Sequence, residues 1–448
     1  MLVERISNKK REKNLSEKLK IMKSTYLKRV FWMLIVLISS IKGYSNEADS
    51  LRYYLQYAAD NNHLLKSVFA QYEASLQKIP QAGSFADPQL EIGLFVKPMD
   101  NLDGAQVSDL KIMQMFPWFG TRKAARTEAQ HMSKVLYEKF RATRDDLFFQ
   151  INSQWFILCN LNQRLQYTQA NIEILQNLKE LTMTKLSSSS TGMSEVLRIE
   201  LEIEEHKNSI KSLISEMEAN KAQFNALLGR SVAEQILIPD KLEKLTYLYV
   251  NDEITLKSIM HRNPEIIMLT EESLAYKAKE EMVKKMSYPM LGLGINYSII
   301  KMRIDDSMTP VASQMNGNDM IMPMLSISLP VWRKKYKSQQ AENRFFQDSN
   351  RELLANTQNE LEARYYSVKH KISDAERKIE LYNKQSELAN TTYNLILKDF
   401  VAGKSDLINL LQIQRQLLSY QISKSEAIAE YNIMISSLQK LVSKIELN

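Results

Sequence analysis

Leu325 to Trp332 reads Leu-Ser-Ile-Ser-Leu-Pro-Val-Trp, and Ile112 to Gly120 reads Ile-Met-Gln-Met-Phe-Pro-Trp-Phe-Gly. Each run is strand-like, stops at a proline with an aromatic beside it, and opens into a very long polar helical pattern. Proline ends such a run because it has no N–H to give to a ladder. Upstream of each lies a second alternating stretch. Leu90, Ile92, Leu94 and Val96 share one side after Pro88. After Pro289, Leu291, Leu293, Ile295, Tyr297 and Ile299 share one side and face Gly292, Gly294, Asn296 and Ser298. Period-two alternation predicts strands with one apolar and one polar face, at 88–98, 105–117, 289–300 and 319–332. Val107 to Met115 alternates poorly, and its assignment rests on the repeat. The loops between strands are Met99 to Gly104 and the longer Lys301 to Asp319.

Downstream, no proline or glycine interrupts Thr121 to Leu186. Ile151, Leu158, Leu165 and Ile172 recur every seven residues, with Phe140, Leu147, Leu161 and Leu175 filling most of a second row. At about 1.5 Å per residue this helix reaches on the order of 100 Å. It turns at Ser187 to Gly192 and returns from Met193 to Leu228. A second rod from about Lys334 to Phe400 turns at Val401-Ala402-Gly403-Lys404 and returns to the C-terminus. Gly192, Ser194 and Val196 match Gly403, Ser405 and Leu407 at an offset of 211 residues, with serine at the expected N-cap. Asn61-Asn62-His63-Leu64-Leu65 is echoed by Asn263-Pro264-Glu265-Ile266-Ile267. The chain thus reads as two copies, 46–245 with a hairpin at 121–228 and 246–448 with a hairpin at 334–447. A helical run at 47–79 leads into the first copy's strands.

Composition bounds the alternatives. Only 11 glycines and 10 prolines in 448 residues leave little turn chemistry, so the elements are long. The net charge of +7 belongs to the leader: residues 1–45 carry 11 Lys+Arg and 3 Asp+Glu, leaving 48 basic and 49 acidic residues beyond. A nucleic-acid footprint needs a basic patch on the folded part, so nucleic acid is not an expected partner. Lys23, Lys28 and Arg29 precede an apolar core at Val30 to Leu37, and Gly43 and Ser45 follow as small residues. That order predicts an N-terminal extension and a secretory signal peptide over 1–45, cut after Ser45, with Met22 a plausible start. No cysteine follows the apolar core to carry a lipid. Cys159, alone in the chain, is expected as buried filler and can form no internal disulfide.

Strands of about ten residues with one apolar face match what a tilted strand needs to cross a bilayer. Open edges cannot sit in lipid, and single-chain membrane barrels start at about eight strands. Four strands per chain therefore imply a barrel shared between chains. Trp118, Phe119 and Trp332 fall at corresponding strand ends, where a membrane barrel carries its aromatic girdle. The fold class expected is mainly α with a small transmembrane β part.

The sequence resembles the TolC family of outer-membrane efflux proteins. The residues that carry the resemblance are Ala86-Asp87-Pro88-Gln89-Leu90, Met115-Phe116-Pro117-Trp118-Phe119-Gly120 and Ser328-Leu329-Pro330-Val331-Trp332, with Asn263-Pro264-Glu265 and the two Gly-x-Ser turns. They span nearly all of 47–448, in order and in both halves. The resemblance implies a homotrimer whose twelve strands form one barrel in the outer membrane of a Gram-negative bacterium, continued by a periplasmic α-helical barrel. It implies a passive exit duct that docks on a periplasmic adaptor (membrane fusion) protein and an inner-membrane pump, with metal cations or small toxic compounds as cargo. The Met-Phe-Pro-Trp-Phe-Gly run is most like members that serve heavy-metal or cation pumps of the resistance–nodulation–division class. Many of those carry an N-terminal lipidated cysteine that this chain lacks. The adaptor-facing tips would be Thr191, Gly192, Met193 and Ser194, and Ala402, Gly403, Lys404 and Ser405. Type I protein secretion uses the same duct, and a periplasmic coiled-coil scaffold without a barrel is the competing reading.

No constellation suggests an enzyme, a cofactor or a metal centre built from the usual ligands. His63, His131, His206, His261 and His370 are scattered, and Gly292-Leu293-Gly294 lies inside a strand pattern. Glu195, Asp399 and Asp406 near the tips are candidates for gate or selectivity rings, since repeated carboxylates select cations in pores. Helix dipoles equally favour Glu195 and Asp406 in a first turn. Met302, Met308, Met315, Met320, Met322 and Met324 cluster around one loop and strand. Thioethers there suit either soft-metal binding or adaptable filling.

Overall fold

The computed structural model describes residues 47–101, 104–187, 192–246, 251–302 and 317–444. The expected signal peptide, Thr191, Met308 and Met315 lie outside them. The chain divides into two units, Met1–Arg52 and Tyr53–Asn448, and the architecture below is that of the second. In order the elements are α1 (Glu47–Asn61), α2 (His63–Ala82), β1 (Gln89–Asn101), β2 (Gly104–Phe116), α3 (Thr121–Ser187) and α4 (Met193–Leu228). The second half repeats the order with α5 (Asp252–Arg262), α6 (Pro264–Met286), β3 (Met290–Lys301), β4 (Met320–Ser328), α7 (Arg333–Val401) and α8 (Leu407–Val442).

The two rods, α3 of 67 residues and α7 of 69, are each nearly twice as long as their 36-residue return helices. The half of α3 nearer the sheet runs beside α2 and α6, and α6 also lines α7. The far half packs against α4 and α8. The heptad rows are the reason: Leu147, Ile151, Leu158, Leu161 and Leu175 are all buried. Cys159 is buried beside them. At the far end one cluster draws from all four long helices, with Leu175 and Leu178 from α3, Ile199 and Ile203 from α4, Phe400 from α7 and Leu407, Leu410 and Leu411 from α8.

The expected single helix over 47–79 is instead two, broken at Asn62. Its side chain accepts from Leu65 N at 2.9 Å and caps α2, while its amide donates to the Leu227 carbonyl at 2.8 Å in the last turn of α4. Asn263 does the same in the second copy. It accepts from Glu265 N at 2.9 Å and donates to the Leu441 carbonyl at 3.1 Å near the end of α8. One asparagine per repeat therefore satisfies a helix N-terminus and a helix C-terminus at once, filling two sets of orphan backbone groups.

The four strands form one antiparallel sheet in the order β1-β2-β3-β4. Its register sets Leu90, Ile112, Ile295 and Pro323 in one row and Ile92, Leu110, Tyr297 and Ile321 in the next. The other face holds Glu91, Lys111, Asn296 and Met322 in one row and Gly93, Asp109, Ser298 and Met320 in another. The poor alternation of β2 has two causes. The register slips between Gln106 and Ser108, leaving Val107 as a bulge. Gln114 sits on the apolar face near its end, where its amide donates to the Ala86 carbonyl at 2.9 Å. β1 runs on to Asn101, past the expected end at 98, across an irregularity between Leu94 and Met99.

β4 is shorter than expected, ending at Ser328 instead of 332. Around Pro330 the chain folds into two successive three-residue turns, Val331 N to Leu329 O and Arg333 N to Val331 O, both at 2.9 Å. The alternation of Leu329 and Val331 is continuous in sequence, but the ladder has already stopped. Replacing Asn62 or Asn263 by Ala should each lower stability by roughly 2 kcal/mol, a lost cap plus a lost hydrogen bond. Denaturant melts of the purified protein measure this. A loss within about 0.5 kcal/mol, the size of an ordinary surface substitution, would show that the clamps do not hold the repeats.

Candidate functional site

Among the described residues, nothing covers the apolar face of the sheet. Leu94 is 76% exposed and Val96 96% exposed, with Leu90, Ile92, Leu293, Ile295, Ile321 and Leu325 also open. An exposed apolar area of this extent marks an interaction or membrane surface. β1 and β4 each present an edge that no other described strand pairs. Among the described residues, no helix is long and apolar enough to cross a membrane.

Where strands hand over to rods, the aromatics gather at one end of the sheet. Phe116 pairs with Leu291 and Leu291 with Ile327, so β2 and β4 finish at the same level. Trp118 stacks on Tyr288 with centroids 5.3 Å apart and meets Phe119 edge-on at 5.9 Å. Phe85 meets Phe116 edge-on at 5.4 Å, and the Arg122 guanidinium lies 3.3 Å from the Phe85 centroid. Phe119 and Trp332 are about four-fifths exposed, at 80% and 78%. Trp118, Phe119, Phe85 and Tyr288 gather where β2 ends and β3 begins, and Trp332 lies at the start of α7, after the end of β4. Sequence reading passed over Phe85 and Tyr288 because they precede strands and sit outside the Pro-aromatic signature.

The tips are unlike one another. In the second, Gly403 adopts φ +73, with Gly403 N bonded to Phe400 O at 3.1 Å and Lys404 N to Asp399 O at 2.8 Å. This is a Schellman ending, which needs a left-handed residue just past the helix. Ala402 is the C-cap, and Asp406, not Ser405, is the N-cap of α8. In the first tip Gly192, not Ser194, occupies the N-cap of α4. The expected serine caps are therefore replaced by Gly192 and Asp406, because the two return helices start three residues apart in the aligned repeats. Met193 and Lys404 are exposed. Lys185 near the end of α3 donates to the Phe400 carbonyl and lies over the Phe400 ring at 4.2 Å, linking the two hairpins. Asp399 and Asp406 are exposed, and Glu195 lies in the first turn of α4 with one carboxylate oxygen, Oε2, buried and unpartnered among the described residues.

Polar side chains also cross between hairpins. Gln414 donates to Asn171 at 2.5 Å, and Asn171 donates to His206 Nε2 at 2.9 Å. Ser425 donates to Asn160 at 2.7 Å, and Arg415 pairs with Glu202 through Nε at 3.1 Å. Nearer the sheet, His131 Nδ1 lies 2.6 Å and Lys134 Nζ 3.2 Å from the Glu271 carboxylate. Burial alone would raise the pKa of Glu271, but hydrogen bonds from His131 and Lys134 outweigh it and hold the carboxyl below its ordinary value. Burial pushes Glu138 the other way, against the pull of Arg141 at 2.7 Å. Among the described residues, no group of three or more His, Cys, Asp and Glu converges as a metal site.

An open sheet, paired long rods and short tips make up a fold that this chain shares with solved outer-membrane channels. OprN, an outer-membrane channel, matches with a TM-score of 0.72 at 14% identity over 88% of this chain and 90% of its own. CusC, studied for transmembrane channel formation, matches with a TM-score of 0.74 at 13% identity over 88% and 92%. VceC, an outer membrane protein of Vibrio cholerae, matches with a TM-score of 0.70 at 15% identity over 88% and 96%. No family model matches the sequence, and no curated protein matches it.

The lowered Glu271 carboxyl stabilises the fold above its unfolded value near 4.5, and that stabilisation fades as pH falls through the folded value. Glu271→Gln should cost on the order of 1 kcal/mol at pH 7. The gap to the parent should close on acidification below the folded value. Melts over a pH series test this, and a gap that stays constant with pH would contradict it.

Proposed function

We propose that the protein is a TolC-like outer-membrane duct, a passive channel through which a tripartite pump exports metal cations or small toxic compounds. The observation that carries this is the open four-stranded sheet, largely apolar and exposed on one face, continuous with rods far longer than the sheet. In a bilayer its unpaired edges must be satisfied by other copies of the chain. Three copies supply twelve strands, within the range of closed membrane barrels.

The rods of three such protomers continue the barrel into the periplasm as a helical tunnel. Phe85, Phe119, Tyr288 and Trp332 lie at the periplasmic edge of the bilayer, where aromatic rings settle. The tips, built on Gly192–Ser194 and Ala402–Ser405, meet a periplasmic adaptor, and an inner-membrane pump supplies the energy. Around a threefold axis, Glu195, Asp399 and Asp406 repeat as carboxylate rings that favour cations.

Three measurements test this. The native protein should sediment with outer membranes and run as a heat-modifiable trimer, and a soluble monomer would refute the duct in favour of a periplasmic scaffold. Gly403→Asp should abolish export while trimers persist, since a residue with a side chain costs about 1–2 kcal/mol in the left-handed region and places a charge at the tip. Normal export in that variant would count against the tip assignment. Asp399→Asn should reduce cation selectivity in single-channel recordings, and unchanged selectivity would remove it from the ring.

A further inference from the structure

The methionines of the sheet are sorted by face. Every strand methionine whose side chain is described, at positions 113, 115, 290, 320, 322 and 324, lies on the polar face. The apolar face is built mainly of Leu and Ile, with Tyr297, Pro323, Gln114 and Ser108 among them, and carries none of these methionines. Methionine employed only as an adaptable hydrophobe would be at home among those aliphatics. Its confinement to the face with Glu91, Lys111, Asp109 and Ser298 asks for another reason.

Gly292 and Gly294 sit in the middle of this face. The Met115 sulfur lies 2.5 Å and the Met113 sulfur 3.2 Å from the point a Cβ on Gly292 would occupy. The Met113 sulfur is also 3.1 Å from the corresponding point on Gly294. Both β2 thioethers therefore lean across β3 toward β4, instead of standing up from their own strand. On the far side of Gly294, in register with it, β4 presents the half-buried Met324. The Met113 and Met115 sulfurs thus occupy the space that two glycines leave over β3, and Met324 stands in register beside Gly294 on the next strand.

The carboxylates of this region are already engaged. Glu91 pairs with Lys111 at 2.8 Å. Asp109 accepts from Gln106 at 2.7 Å and from the Ser298 hydroxyl. No group of three or more His, Cys, Asp and Glu converges there among the described residues to hold a hard divalent cation, whereas thioether sulfur suits copper(I). We propose that Met113, Met115 and Met324 form a binding site for a soft monovalent d10 cation, copper(I) or silver(I). The site lies within one chain. Its exposure to the lumen of a duct rests on the exit-duct reading above.

The test is silver(I), added as nitrate in chloride-free buffer to the full chain in detergent, with binding followed by calorimetry and the ligand shell by X-ray absorption. The parent should take up silver in a shell containing several sulfurs. Met113→Leu/Met115→Leu/Met324→Leu, a volume-conserving change, should weaken that binding by roughly tenfold or more. Cys159 is present in both proteins and cancels in the comparison. Gly292→Ala keeps all three sulfurs but drives a Cβ into the Met115 position, and it should also weaken binding, which secures the result if the triple variant fails to fold. Silver affinity that neither change alters, or a parent that binds no silver through sulfur, overturns the site. A parent that forms outer-membrane trimers without binding silver sinks this proposal alone. A parent that binds silver through these residues but never assembles in the membrane sinks the duct and leaves the site.

Discussion

The backbone hydrogen-bonding groups along β1 and β4 are the constraint on which everything else depends. Within the chain each of these strands has a partner on one side only. In water such an edge is a hazard that proteins blunt with charge or proline; in lipid it is forbidden. β1 carries Leu90, Ile92, Leu94 and Val96 on its open face, and beyond Glu91 no acidic side chain breaks its first half. In the proposed duct, copies of the chain close this sheet. The duplication then follows as economy of design, since each repeat brings two strands and one rod to the same ring. Closure of that kind also fixes which face is wet, and so gives the polar row its meaning.

Much of this was legible in the residues. Period-two alternation located three of the four strands and the repeat supplied β2, while the heptad rows from Leu147 to Leu175 located the first rod, because burial on one side is written directly in side-chain spacing. The breaks were harder. Leu329 and Val331 keep the strand's alternation after the ladder has ended, so only the turns around Pro330 reveal the stop. Asn62 hid inside a run that reads as one helix, because its role is played against Leu227, far away in sequence. At the tips, spacing suggested serine caps, but the side-chain pattern cannot register that the return helices begin three residues apart. The face of a methionine depends on register, which pairing alone supplies.

Between the rods, polar groups buried among aliphatics set alignment. Leucines tolerate a slide by one turn, but Asn171 must meet both Gln414 and His206, and Ser425 must meet Asn160. A one-turn slip, about 5.4 Å along a helix, would strand these groups without partners at a cost of about 1–3 kcal/mol each. Single buried amides specify register in coiled coils by the same means. The apolar cluster at Leu175, Ile199, Phe400 and Leu410 supplies cohesion, while the amides and hydroxyls say where cohesion is allowed.

The asparagine clamps carry a consequence for the chain's birth. The Asn62 clamp joins residues 165 apart and the Asn263 clamp residues 178 apart. Neither can close until almost an entire repeat has been made. Contacts of such long reach slow folding, so α2 and α6 stay unlatched while the ribosome finishes the rods. A chain whose locks are written last stays pliable until its second rod is complete, so its final shape is set only after every long helix exists.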